Sequence, residues 1–516
     1  MFVQSKKLQP WKKKNYISSI LQFFLHAIIV IGIIVGLLAI NATKDGGSFG
    51  EYWTVKENVQ KFMFIVLATL FLFTIIYLYF YFEFRDFMIR PKNIAVIFVV
   101  IEFSLIICLI TSRFIPSDYS IYARPFALCS LLILLLVNRR TAVYVNFCFS
   151  LLLFIADVFG NHTYNNQMLP LSSLIIGCAS GMVGIYLVDE VGSRIKVFSR
   201  GFFIAIPIII CAVSLEFYFG VDFSKIVPLI LYGFMSGITS VVYMMAIIPV
   251  FEWLFNVLTN YRLAEVTDHK SKLIEKLARE APGTFNHSLT VATLAESCAA
   301  AIGENALLAR ACAYYHDIGK LNQPGYFTEN QYGVNPHDEL TPELSTEIIR
   351  SHATDGYELI KKYHLPMILA DVAREHHGTL PIQYFFMKAK KYTDGDLDIS
   401  DFCYKGPKPH TKIAAIIMLV DGCEAAVRAI STSRTHEEVE KVIRSIFEDR
   451  INRDQFSECE ITMLDLEIIK KTIQDNLSGV YHERINYPKI QYGKVSSFSD
   501  GAVDEPKEKQ PKKTKK

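Results

Sequence analysis

Long uncharged apolar runs fill the chain as far as about Phe255, and beyond it charged and apolar residues alternate at helical spacing. Runs of about 18 or more apolar residues are long enough to cross a bilayer as helices. The pattern predicts a first span at 16–40 and further spans at about 61–82, 94–112, 121–138, 141–160, 169–188, 202–220 and 227–250, eight in all. The first run follows Lys6, Lys7 and Lys12–Lys14, as a signal peptide would. It is too long for one, and Asn41-Ala-Thr is a poor cleavage site, so it reads as an uncleaved anchor.

The same pattern divides the rest of the chain. Residues 1–15 form a basic N-terminus, 41–60 a short extracytoplasmic loop and 61–250 the seven-span region that follows. Residues 251–281 read as a connecting helix that continues the last span and stops at Ala281-Pro282-Gly283. Residues 282–488 read as a soluble helical domain, and 489–516 as a disordered basic tail with little apolar content. The fold class is therefore all-α, a polytopic helical membrane domain followed by an all-helical soluble one.

Loop charge sets the orientation. Arg85, Arg90 and Lys92, then Arg139 and Arg140, then Arg194, Lys196 and Arg200 fall on alternate loops, on the side of the N-terminal lysines. Both termini, and with them the soluble domain, are expected in the cytoplasm, the protein being embedded in a lipid bilayer. Composition adds little: 53 Lys and Arg against 51 Asp and Glu leave a net charge of +2, which makes no case for a nucleic-acid polymer as partner. The ten cysteines show no paired spacing, which argues against a disulfide framework or a zinc ribbon. A transport path is disfavoured because, Glu102 apart, charged residues lie near span ends. Asn161-His162-Thr163 fits a glycosylation triplet, which is common by chance. Asp394-Gly-Asp396 lacks the spaced ligands and terminal Glu of a calcium loop.

Candidate chemistry lies between Pro282 and Arg428. His287 opens an apolar helix; His316-Asp317 ends another and is followed at once by Ile-Gly-Lys320; then come His352, the pair His376-His377 before Gly378, and Asp421. The intervening residues predict helices at 286–302, 304–317, 342–350, 354–363, 366–376 and 411–430. An imidazole and a carboxylate emerging together from a packed scaffold can both ligate a cation, and a carboxylate can bridge two. One such dipeptide is weak; this ordered series is specific.

That order of His287, His316-Asp317 and Asp421 resembles the HD-domain metal phosphohydrolases. With His352 and His376-His377 it is similar to their dinuclear subtype. Pro-Gly-Thr-Phe-Asn-His-Ser (282–288), Tyr-Tyr-His-Asp-Ile-Gly-Lys (314–320), Asn-Pro-His-Asp (335–338), Glu-His-His-Gly (375–378) and Gly-Pro-Lys-Pro (406–409) resemble the seven-transmembrane HD hydrolases, the family of PgpH-type bacterial cyclic di-AMP phosphodiesterases. Two departures stand out. Family members carry a large extracytoplasmic domain where this chain has only 41–60, and Asn286 replaces a histidine that often precedes the first ligand.

The resemblance implies hydrolysis of cyclic di-AMP to linear pApA in the bacterial inner membrane, by a metal-bound hydroxide. It implies two divalent transition metal ions, iron or manganese, one held by His287, His316, Asp317 and Asp421 and the other by Asp317, His352, His376 and His377. Lys320, three residues after Asp317, is the candidate to face the scissile phosphate; Arg428 is a weaker one. Tyr314, Tyr326, Tyr357 and Tyr384 are candidates to stack on bases. Alternatives are another cyclic dinucleotide or nucleotide as substrate, and a nucleotide-binding membrane receptor without turnover. The sequence permits a homo-oligomer without specifying one.

Overall fold

A computed structural model describes residues 13–480, apart from 45–48, 84–90, 117–118, 161–168, 189–193, 221–222, 256, 332, 393–395 and 431–434. The expected basic segment up to Lys12, the triplet at 161–163, the start of the Asp394 loop, the end of the predicted soluble domain at 481–488 and the basic tail lie outside the described residues. The regular elements among the described residues are all helices, with one isolated β-bridge between Pro381 and Cys403.

The membrane half comprises α1 (Lys13–Lys44), the six-residue α2 (Phe49–Thr54), α3 (Lys56–Glu83), α4 (Pro91–Phe114), α5 (Leu128–Leu136), α6 (Arg139–Gly160), α7 (Leu169–Val188), α8 (Arg194–Phe219) and α9 (Phe223–Phe255). Seven of these, all but α2 and α5, are long and apolar enough to cross a membrane. They share one apolar core running from Phe23 in α1 through Phe251 in α9 to Val257 and Tyr261 just beyond it. Helices α8 and α9 cross closely because they meet at glycines. A Cβ on Gly237 would lie 2.4 Å from the Gly201 carbonyl oxygen, so only glycine allows that approach.

The expected eighth span at 121–138 departs from prediction. Only Leu128–Leu136 is α-helical there, nine residues or about 14 Å, against a hydrocarbon core of about 30 Å. Pro125 has no N–H to donate and disfavours helix at Arg124, which explains the break. Arg124 is 1% exposed and grips Asp157 of α6 through two hydrogen bonds of 2.6 and 2.7 Å. Asp157 also accepts from Ser173 of α7, Nε of Arg124 donates to Ser112 of α4, and Ser236 of α9 donates to the Arg124 carbonyl. The interrupted segment is thus tied to four neighbouring helices.

The predicted connecting helix is three pieces. After α9 ends at Phe255, Thr259 caps α10 (Asn260–Val266), a turn follows, and α11 (Lys272–Glu280) leads to Ala281. Pro282 then takes the first position of α12 (Pro282–Ala301), where a missing N–H costs nothing. The soluble domain continues with α13 (Ala306–Tyr315), α14 (Pro342–Lys362), α15 (Met367–Glu375), α16 (Gln383–Tyr392), α17 (Lys412–Ala429), α18 (His436–Asn452) and α19 (Met463–Val480). Alanines and leucines of α12, α13, α15 and α17 fill a second core, whose small side chains let these helices approach closely. The two helices expected at 342–350 and 354–363 are the single helix α14, because Ser351–Thr354 contains nothing that breaks a helix.

Candidate metal centre

The seven histidines and aspartates singled out by spacing converge on one point. Asp317 leaves the end of α13 in a short 3-10 turn, Ile318–Asn322, pressed against α14. Gly319 permits that contact: a Cβ there would sit 1.9 Å from the His352 carbonyl oxygen. Helix α12 presents His287, the end of α13 His316, α14 His352, the end of α15 His376 and His377, and α17 Asp421.

Donor atoms of Asp317, His352, His376 and His377 lie within 4.8 Å of one another, and so do those of His287, His316 and Asp317. Asp317 belongs to both groups. Its Oδ1 is 3.4 Å from Nε2 of His352 and 3.7 Å from Nε2 of His376, while its Oδ2 is 3.3 Å from Nε2 of His316 and 3.7 Å from Nε2 of His287. Asp421 sits 3.0 Å from Nε2 of His287 and 3.9 Å from both His316 Nε2 and His377 Nδ1.

Backbone carbonyls orient the rings. Nδ1 of His316 donates to Ala313 at 2.7 Å, Nδ1 of His376 to Ala373 at 2.8 Å, and Nδ1 of His352 to Ile349. Each Nε2 is thereby turned inward. Nε2 of His352 and Nε2 of His376 face each other at 3.4 Å, and Nε2 of His316 and Oδ1 of Asp317 are buried without a hydrogen-bond partner. Converging lone pairs in a buried site repel one another unless a cation or proton lies between them. The residues therefore fit a divalent metal site. Mixed imidazole nitrogen and carboxylate oxygen suits a transition metal better than magnesium or calcium.

The site is electrostatically uneven. Burial pulls the His316 imidazole down, but Asp317 and Asp421 outweigh it and push its pKa up to about 10. Burial likewise opposes protonation of His287, yet its bonds to Asp421 and Glu424 raise it. On the other side burial prevails, with help from His376 and Lys320, and holds His352 at about 3. Burial disfavours charge on Asp317, but Lys320 and His316 keep its pKa well below the ordinary carboxylate range. Lys320 lies 2.7 Å from Asp317 and 2.8 Å from Glu329; burial opposes its charge, and the two carboxylates more than restore it, raising its pKa.

Other candidates fall elsewhere. Arg428 is turned to Glu424 on its own helix, at 3.6 Å. Tyr314 is core, 3% exposed, and Tyr357 lies beneath Arg374. Tyr326 packs on His337, which is buried away from the metal-facing groups, and Tyr384 is exposed on α16. Two residues that spacing did not suggest belong to the site. Glu424 is buried and accepts from Nδ1 of His287 at 2.6 Å; its signal was a position three after Asp421, on the same face of α17. The Tyr404 ring stacks on His377 with centroids 4.3 Å apart, and no local pattern marked it.

Residues 59–259 match the model of the "7TM receptor with intracellular HD hydrolase" family and residues 284–426 that of the HD domain. The chain is 36% identical over 412 residues to the cyclic-di-AMP phosphodiesterase PgpH of Bacillus subtilis, covering 78% of this chain and 57% of that protein. It is 38% identical over 367 residues to the protein of the same name from Listeria monocytogenes, covering 70% and 50%. The chain thus spans about half the length of the curated relatives it matches. The crystal structure of the L. monocytogenes PgpH HD domain in complex with cyclic-di-AMP is 49% identical, with a TM-score of 0.40, and is matched over 42% of this chain and 99% of that one.

Proposed function

We propose, because the chain belongs to the seven-transmembrane HD hydrolase family, that it is a phosphodiesterase hydrolysing cyclic di-AMP to pApA at a two-metal centre. The observation that carries this is the position of Asp317, shared by two donor groups. His287, His316, Asp317 and Asp421 would hold one ion and Asp317, His352, His376 and His377 the other, iron or manganese by donor type. Such ions, when bound, supply Lewis acidity that lowers the pKa of water and offsets charge on a phosphate.

The chain's own residues do the rest. Carbonyl bonds from Ala313, Ile349 and Ala373 fix the tautomers, and Glu424 fixes His287. Lys320 is held as a cation at every physiological pH by Asp317 and Glu329, so it serves as a fixed donor to a phosphoryl oxygen and not as a base. In the reaction a P–O bond forms from water as the P–O3′ bond breaks. The water's protons end on the released hydroxyl and in solution.

Arginines and lysines on alternate loops favour a cytoplasmic soluble domain, in the inner membrane of a bacterium. The test is turnover by the purified full chain with manganese or iron. Cyclic di-AMP should be cleaved much faster than cyclic di-GMP; equal or reversed rates would sink the adenine assignment.

A further inference from the structure

We propose that Gln455, which lies just beyond α18, is the positioning residue that holds the ligand His377 in the metal centre. The inference rests on the two-metal reading above and adds to it a residue from outside the donor set. The other imidazoles are each aimed by a bond of their own, His316, His352 and His376 through helix carbonyls and His287 through Glu424. His377 is aimed by none among the described residues. Its Nδ1 stands 3.9 Å from Asp421, beyond hydrogen-bond reach, and with 22% of its side chain exposed it is the least buried of the seven donors. Its direction is set by the backbone that carries it and by the Tyr404 ring stacked on it. Both lead to residues 378–380. The N–H of Gly378, a residue at φ 51, donates to the Glu375 carbonyl at 2.9 Å and turns the chain away from α15. The Leu380 N–H donates back to the His377 carbonyl at 3.2 Å, and the Leu380 carbonyl accepts from the Tyr404 N–H at 2.9 Å, which brings the Tyr404 ring to His377.

Gln455 clamps this turn. It is 1% exposed; its Oε1 accepts from the Thr379 N–H at 3.0 Å, and its Nε2 donates to Oγ1 of Thr379 at 2.9 Å and to the Arg453 carbonyl at 3.0 Å. Both N–H groups and the oxygen of the amide are thus satisfied, which fixes the side chain in one arrangement. Gly378 fits against it, since a Cβ at that position would collide with Oε1 of Gln455. The end of α18 is built to deliver the residue. The Gln455 N–H donates to the Arg450 carbonyl at 3.1 Å and the Asp454 N–H to the Ile451 carbonyl at 2.9 Å, the bond pair of a Schellman motif. The left-handed position of that motif ordinarily takes glycine, yet Asp454 occupies it at φ 55, and its carboxylate pairs with Lys408 at 3.0 Å. Strain of this kind persists where the surrounding structure over-determines the conformation. A buried amide, an aspartate in a glycine conformation and a glycine against the amide oxygen are three constraints meeting at one turn, and that turn carries His377.

Manganese added to the metal-free full chain in detergent, followed by equilibrium dialysis, should show two bound ions. Gln455→Met, which keeps the bulk and removes the amide, should weaken one of them about 10–100-fold, the loss usual for a group that orients a metal ligand, and leave the other within about twofold. Thr379 is exposed, so folding is not at stake there. Thr379→Val, which removes Oγ1, should weaken the same ion about three- to tenfold, and Thr379→Ser, which retains it, should keep the wild-type affinity. A role in stability alone predicts another pattern: equal losses at both ions in Gln455→Met, in step with a lower Tm, would overturn the proposal. So would wild-type affinity at both ions in Gln455→Met or in Thr379→Val. A wild-type chain that binds a single ion defeats the two-metal reading; the role of Gln455 then stands if Gln455→Met weakens that ion and falls if its affinity is unchanged.

Discussion

Glu424 accepts a 2.6 Å hydrogen bond from Nδ1 of His287, and both side chains are buried. The bond leaves Nε2 of His287 free to face Asp421 and Asp317, and it raises the basicity of that nitrogen. Replacing Glu424 by Gln keeps the shape and removes the charge. Metal affinity should fall about 10–100-fold, as is usual for carboxylates behind a histidine ligand, with Glu424→Asp retaining more than Glu424→Gln. Competition with a chelator, read by metal analysis, gives the answer independently of turnover; equal affinity in all three proteins would remove Glu424 from the site.

Protons and metal compete for the same nitrogens. The His316 imidazole is pushed up to about 10 and His287 is raised as well, so both are shifted toward holding their protons in the metal-free chain. Binding a cation must expel them. The sign follows: below a folded pKa of about 10 the proton-bound form gains with every step toward acid, so affinity falls as pH falls. Manganese binding followed from pH 8.5 to 6.5 should weaken by about tenfold per pH unit for each proton released. His352 and His377, whose pKa values are depressed by burial, should contribute nothing to that slope.

Lys320→Met removes the ammonium that touches both Asp317 and Glu329. If the ammonium meets the phosphoryl oxygen in the transition state, kcat should fall about 10²–10³-fold with metal content retained. A fall in bound metal that accounts for the whole loss of rate would make Lys320 a support for Asp317 only.

In the membrane half, Arg124 and Asp157 bury a bidentate ion pair. Removing one partner strands the other charge, so Asp157→Leu should destabilise the chain by about 3–5 kcal/mol. Arg124→Met combined with Asp157→Leu should recover much of it. Thermal unfolding in detergent compares the three, and additive losses would show that the pair is not coupled.

The helical character was readable from the periodicity of the chain, whereas the grouping of seven histidines and aspartates was implied by the family resemblance of the motifs that carry them. Glu424 was not, since an acid on a helix is ordinarily solvated and only the packing of α12 on α17 buries it. The spacing divides 342–363 at 351–353, yet α14 runs through, because the sequence there contains no helix breaker. At 121–138 hydropathy reports apolar content and not backbone geometry, and so overlooks the interruption at Pro125.

Three imidazoles, those of His316, His352 and His376, send their Nδ1 proton to the carbonyl three residues earlier in the same helix. Each ligand is thus aimed by its own helical turn, before any other helix arrives. Assembly of the centre then needs only rigid cylinders brought to the right spacing, and a change elsewhere in the chain that shifts one cylinder moves its nitrogen as a unit without scrambling its orientation. A centre built in this way depends on the spacing of its helices more than on the rotamers of its ligands.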